Sequence, residues 1–99
     1  MNKGSPFLNI LPSIDLHGYP REMIYVLVDD FINENIKLGK NKILVIHGKG
    51  TGVLKEEVRN RFIKDKRVKN LYISMENEGC TIIELNIYSA IRLKLLAES

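Results

Sequence analysis

The segment Lys42-Ile43-Leu44-Val45-Ile46-His47-Gly48-Lys49-Gly50-Thr51-Gly52-Val53-Leu54 holds four consecutive apolar residues, then a histidine, then a loop with glycine at every second position. An unbroken apolar run of this kind, over Lys42 to His47, reads as a strand covered on both faces and therefore central in a sheet. The glycines end it. Beyond them Leu54, Val58 and Phe62 fall at i, i+4 and i+8, the apolar stripe of a helix whose other side carries acids and bases and which is expected to end near Asp65. A buried strand, a glycine-rich connection and an amphipathic helix are half of a βαβ unit, which places the chain in the α/β class.

Working outward, Ile14 to His17 reads as a short strand stopped by Gly18, after which Tyr19-Pro20 opens a helix with proline in its first turn. That helix is expected to reach about Leu38, with Gly39 as its C-terminal cap. Met23, Leu27 and Phe31, and one position round Ile24, Val28 and Ile32, give it a wide apolar stripe. On the other side, Leu71, Ile73 and Met75 alternate with Asn70, Tyr72 and Ser74, the pattern of a strand with one buried face. Glu76-Asn77-Glu78-Gly79 is a turn, and Cys80 to Ile87 is a last strand antiparallel to its predecessor. The order is β-α-β-α-β-β. Right-handed crossovers make strands one to three parallel and put both helices on one face, giving a two-layer sandwich with a four-stranded mixed sheet. Phe7, Leu8, Ile10 and Leu11 are expected to cover an edge or the open face of the sheet, and Ile91, Leu95 and Leu96 to mark a short amphipathic helix.

Composition supports one ordinary globular domain: 99 residues, 44% hydrophobic and 27% charged. No apolar run approaches the roughly 18 residues of a membrane-spanning helix, and Met1 to Pro12 lacks the long apolar region of a secretion signal. No membrane partner is expected, and the cytoplasm is the expected location. Cys80 is the sole cysteine, so an intramolecular disulfide is excluded and a small core residue is the natural reading. The net charge of +3 identifies no partner, but its distribution is uneven. Ile14 to Ile36 sets Arg21 against Asp15, Glu22, Asp29, Asp30 and Glu34. Lys37 to Lys69 carries eleven bases against Glu56, Glu57 and Asp65, an excess expected to make one face attractive to phosphate unless it is merely a solvated helix surface.

Two segments carry candidate chemistry. Period-two alternation puts Asp15 and His17 on one face at the carboxyl end of the first strand. The carboxyl ends of parallel strands share an edge, so His47 and the loop Gly48-Lys49-Gly50-Thr51-Gly52 should lie beside them, where ligands of open α/β sheets collect. Glycines let backbone N–H groups approach a phosphate, a helix N-terminus favours an anion, and Lys49 adds a mobile charge. Neither the Walker A spacing nor G-x-G-x-x-G is present, so a nucleoside triphosphate or dinucleotide has little support. Asp15, His17 and His47 are the catalytic candidates and Gly48, Lys49, Gly50, Thr51 and Gly52 the phosphate-binding candidates. The competing reading makes Asp15 a loop cap and the two histidines hydrogen-bonded packing residues.

Asp15-Leu16-His17-Gly18, followed about thirty residues later by Ile46-His47-Gly48-Lys49-Gly50-Thr51-Gly52-Val53-Leu54, resembles the paired signature of the Smr (small MutS-related) domain family. Met23, Leu27, Phe31 and Gly39 fall at that family's first-helix core positions and the glycine before strand two. The resemblance covers about Ile14 to Leu85 and implies a Smr-like domain over 14–87, with an N-terminal extension over 1–13 before it and, by its apolar spacing, a C-terminal amphipathic helix or tail over 88–99 after it. It implies nucleic-acid binding, to DNA or to RNA, branched or structured, or on the ribosome. It also implies an endonuclease that nicks phosphodiesters in DNA repair or recombination. One histidine would then serve as general acid or base, with Asp15 orienting it or holding a divalent ion such as Mg2+, and Lys49 with the loop amides stabilising the phosphorane. The alternatives are a non-catalytic RNA- or ribosome-binding module and a protein-interaction adaptor. One departure stands out. Where the family has a glycine-rich turn with an alanine-threonine pair, this chain has Asn77-Glu78-Gly79-Cys80-Thr81; Thr81 and Leu85 match, but glycines are missing, and Glu76 and Glu78 would weaken phosphate affinity if they faced the groove.

Overall fold

In a computed structural model, residues 10–86 and 95–96 are described. The elements are β1 (Ser13–Asp15), a 3-10 turn (Arg21–Met23), α1 (Ile24–Lys37), β2 (Lys42–Ile46), α2 (Val53–Phe62), β3 (Val68–Ile73) and β4 (Cys80–Leu85). The sheet order is β1-β2-β4-β3. β1 and β2 pair in parallel, and β4 pairs antiparallel with both β2 and β3. Strands one to three therefore run the same way as expected, but the final hairpin folds back so that β4 separates β2 from β3. β2 and β4 are the central strands, which is why both carry near-continuous apolar runs buried on both faces.

Both helices pack on one face. Ile24, Val28, Ile32 and Ile36 of α1 and Val58 and Phe62 of α2 meet Ile43, Val45, Leu71, Ile83 and Leu85 of the sheet, with Leu16 closing one end. On the opposite face Leu44, Cys80 and Ile82 form a smaller buried cluster against Ile46 and Leu11. Leu11 thus covers the open face as anticipated, whereas Ile10 is exposed. Phe7, Leu8, Ile87 and Ile91 lie outside the described residues; Leu95 and Leu96 are helical and exposed.

Several sequence expectations are corrected. The first strand ends at Asp15, and His17-Gly18 is a turn. The first α-helix starts at Ile24 rather than after Tyr19, because the chain after Pro20 makes a 3-10 turn that leaves Met23 exposed. The buried line of α1 is Ile24, Val28, Ile32 and Ile36, while Leu27 and Phe31 flank it half-buried; a stripe this wide cannot turn its whole width to one sheet. Asn35 interrupts the line and is buried, its amide donating to the Phe31 carbonyl at 2.8 Å. α1 stops as read, with Gly39 N–H on Ile36 O and Lys40 N–H on Asn35 O, the paired bonds of a Schellman end. Met75 does not belong to a buried face. β3 ends at Ile73, because the Ser74 hydroxyl accepts the N–H groups of Glu76 and Asn77 and turns the chain, leaving Met75 fully exposed.

One polar knot ties α1 to the segment that leads into β3. The Arg67 guanidinium donates to both carboxylate oxygens of Asp65 (2.9 and 2.7 Å) and to Asn33 Oδ1 (2.8 Å), and pairs with Asp29 at 2.8 Å. The Arg67 hydrogen bond holds the Asp65 carboxyl below the usual carboxylate range, against the opposing effect of burial. In the same way the carboxylates of Asp65 and Asp29 keep the guanidinium more firmly charged than a free arginine.

Candidate functional site

The carboxyl ends of β1 and β2 and the start of α2 enclose an open cleft of about 420 Å³, lined by His17 and the continuous segment 47–55. The loop is shaped by backbone that side chains resist: Gly48 and Gly52 have φ of 85° and 87°. Gly52 is the residue before the first turn of α2, and its carbonyl accepts the Glu56 N–H at 2.9 Å, which starts the helix. The first-turn amides ahead of Glu56 have no acceptor within the helix, and only a long bond of 3.4 Å from Val53 N–H to the Thr51 hydroxyl engages one of them. These donors and the dipole of α2 open on the cleft, where Lys49 is exposed and Lys55 half-exposed. All five phosphate-binding candidates, Gly48, Lys49, Gly50, Thr51 and Gly52, line it together.

The three catalytic candidates separate. His47 is buried at 6% exposure and both ring nitrogens are engaged. Nδ1 lies 3.0 Å from the Gly48 carbonyl, which can only accept, so Nδ1 carries the proton and Nε2 accepts from the Thr81 hydroxyl at 2.8 Å. Burial depresses its pKa below the ordinary imidazole range; the Gly48 carbonyl opposes that shift and the nearby Lys55 charge adds to it. His47 is therefore a neutral imidazole that fixes the start of the loop. Asp15 is exposed and stands in register with Ile46, on the face that the helices do not cover. Its carboxylate accepts the His17 N–H at 2.9 Å, a local turn that presents His17, and it is not part of the cleft lining. His17 is exposed and does line the cleft. The alternation argument placed Asp15 and His17 on one face of a strand; the strand ends before His17, and the two side chains serve different places.

Neutral His47 makes stability depend on pH with a definite sign. Its folded pKa lies below the unfolded value of about 6.5, so on acidification the unfolded chain takes up the proton first and stability falls from just above that value down to the folded pKa. Urea midpoints should drop between pH 7.5 and 5.5, well above the range where Asp65 or Glu84 protonates, since both are held below their usual values. His47→Gln should flatten the slope over this interval. An unchanged slope in that variant would assign the dependence to other groups.

Sequence reading missed the residues that fix the loop from below. The Gly79 carbonyl accepts the N–H groups of both His47 and Gly48 at 2.9 Å, joining the β3–β4 turn to the glycine loop. The approach is so close that a Cβ at Gly79 would sit 3.2 Å from the Gly48 carbonyl carbon and from Lys49 Cγ. Thr81, the second residue of β4 and the partner of Val45 in the sheet, then reaches His47. A glycine followed two residues later by a buried hydroxyl at the head of a central strand was the available signal. Lys55, the other cation of the cleft, was legible only as a helix surface residue.

The basic excess of 37–69 does not form one face. Lys37, Lys40 and Lys42 lie at the carboxyl end of α1 and the amino end of β2, and Lys66, Arg67 and Lys69 at the amino end of β3, the edge of the sheet away from the loop. Arg67 is held by Asp65 and Asp29, Arg61 by Glu57 at 2.9 Å, and Lys42 lies 3.7 Å from Glu84. Lys49 and Lys55 are the two bases of this stretch that line the cleft. Among the described residues no group of three or more metal-ligating side chains converges, and no helix is long and apolar enough to cross a membrane.

Comparison with known proteins agrees with this architecture. The Smr domain family model matches residues 14–86. The chain is 36% identical over 77 residues to a protein named endonuclease MutS2 from Ligilactobacillus salivarius, covering 78% of this chain and 10% of that protein. It is 38% identical over 71 residues to the protein of the same name from Finegoldia magna, covering 72% and 9%. The chain thus spans about a tenth of the length of these relatives. The crystal structure of the Smr domain of Thermus thermophilus MutS2 superposes with a TM-score of 0.73 at 29% identity, over 77% of this chain and 99% of that one. The stand-alone small MutS-related protein YdaL from Escherichia coli has the same fold, with a TM-score of 0.69 at 22% identity over 75% and 63%. With the signature loops, the sheet order and the family match in agreement, the chain belongs to the Smr domain family.

Proposed function

We propose that this domain binds nucleic acid by seating a backbone phosphate in the cleft at the carboxyl ends of β1 and β2. The observation that carries the reading is the convergence of the glycine-loop amides, the N-terminus of α2, Lys49 and Lys55 on one open surface. The names of the relatives, endonucleases of the MutS2 type, point the same way. Because two lysines serve the cleft, the salt dependence should be shallow: log affinity should fall against log salt with a slope of about 1.4–1.8, at about 0.7–0.9 per phosphate neutralised. Lys49→Ala should reduce that slope by about one, in titrations of a labelled structured RNA and a labelled branched DNA. Salt-independent binding, or none at low salt, contradicts the proposal.

Cleavage is the finer part of the same reading. Both nitrogens of His47 are occupied and Asp15 lies outside the cleft lining, so proton transfer at a bound phosphodiester falls to His17, the histidine exposed on the cleft. Lys49 and the loop amides would stabilise the charge that develops. Incubating the protein with supercoiled plasmid and with structured RNA, with and without magnesium, separates a nuclease from a module that only binds.

A further inference from the structure

A second part of the cleft, about 160 Å³, is bounded by Gly48, Lys49, Gly50, Gly52, Lys55 and Glu78. Glu78 is exposed there, and among the described residues no hydrogen bond or ion pair holds it, in contrast to Glu57 and Glu84. A carboxylate beside a phosphate site weakens phosphate binding, so its presence calls for something on the ligand that it can recognise. An ionised carboxylate only accepts hydrogen bonds. Within a polynucleotide strand, guanine is the base whose pairing edge offers two adjacent donors, N1–H and the N2 amine. Adenine and cytosine each set one donor group beside an acceptor, and uracil sets its one donor between two acceptors.

The backbone that carries Glu78 is tied down by hydrogen bonds. Ser74 Oγ accepts from Glu76 and Asn77, Asn77 Oδ1 accepts the Gly79 N–H at 2.9 Å, the Asn77 carbonyl accepts the Cys80 N–H, and Gly79 O holds the glycine loop. The carboxylate and the phosphate-binding amides are therefore carried by one hydrogen-bonded unit, so a nucleotide whose phosphate sits in the loop presents its base at a set place. We propose that Glu78 is a specificity-determining residue that selects an unpaired guanine next to the bound phosphate. This rests on the phosphate-binding reading above.

The test uses the full chain and fluorescein-labelled eight-nucleotide strands of uridine, with guanosine, adenosine, cytidine or inosine at one central position, together with deoxy counterparts. A bidentate carboxylate pair predicts that guanosine binds about tenfold tighter than adenosine or cytidine. Inosine, which lacks the N2 amine, should fall between, and the deoxy series should show the same order, which removes the ribose hydroxyls as the donors. Glu78→Gln should abolish the preference by weakening the guanosine strand towards the others, while the adenosine and cytidine strands bind at least as tightly as before, with an unchanged melting temperature because the side chain is exposed. Equal binding of all bases with the expected salt slope overturns this inference and leaves the phosphate reading standing. So does a preference that survives Glu78→Gln, or a magnesium-dependent affinity lost in that variant without any base preference. No binding of any strand at low salt overturns both.

Discussion

Phe62→Ala should lower the free energy of unfolding by about 3–5 kcal/mol, the range for truncating a buried phenylalanine. Phe62 is fully buried at the last turn of α2, and its ring stacks on Tyr25 of α1 with centroids 5.3 Å apart and planes 8° from parallel. Arg61 lies over the same tyrosine at 5.3 Å, so the truncation also removes the support of that cation–π contact. The lost side chain is one of two buried residues that seat α2 on the sheet, and collapse around the cavity is restricted by β-branched neighbours such as Val58 and Ile32. Total stability for a domain of this size is about 5–15 kcal/mol, so the variant should lose a large part of it. Phe62→Leu should cost less than about 1.5 kcal/mol. Phe31→Ala should fall well below Phe62→Ala, because that ring is half-buried. Urea denaturation of the three variants measures the order; equal midpoints for wild type and Phe62→Ala would mean that α2 is not seated as described.

Arg67→Met should cost about 2–3 kcal/mol, the range for removing hydrogen bonds to charged groups. Methionine keeps most of the apolar stem, so the loss reports the guanidinium alone. It leaves two carboxylates, Asp29 and Asp65, each no more than 28% exposed in its side chain, and the Asn33 oxygen without their donor. The stabilising effect of Asp65 depends on its lowered pKa: it is present above the unfolded carboxyl value and is lost as pH falls towards the folded one. The gap between wild type and Arg67→Met should therefore shrink below about pH 4. A gap that stays constant down to pH 2 would show that packing, and not the ion pair, accounts for the difference.

The elements that could be read from the chain are those with a strong period. β2, with four apolar residues in a row, and α2, with Leu54, Val58 and Phe62, are found at the expected places, and the hairpin that joins β3 to β4 follows from Glu76 to Gly79. The start of α1 was misplaced because Pro20 is compatible with both a 3-10 and an α turn. Met75 was misplaced because alternation alone does not reveal that a serine hydroxyl ends the strand. At the site, the glycine loop was legible in the sequence, whereas the division of labour among Asp15, His17 and His47 was not. That division depends on Thr81 and Gly79, more than thirty residues further on, and on which side of β1 the chain leaves.

The placing of β4 between β2 and β3 has a bearing on the order in which the domain can assemble. Until Cys80–Leu85 has been synthesised, β3 has no strand to pair with, and the antiparallel side of β2 is an open ladder of apolar residues. A nascent chain that has emerged only as far as α2 can dock its two helices on the β1–β2 pair, but the sheet has a gap at its centre. Its completion is a late, non-local event, and until then the exposed edge of β2 is the surface most open to misassociation during synthesis.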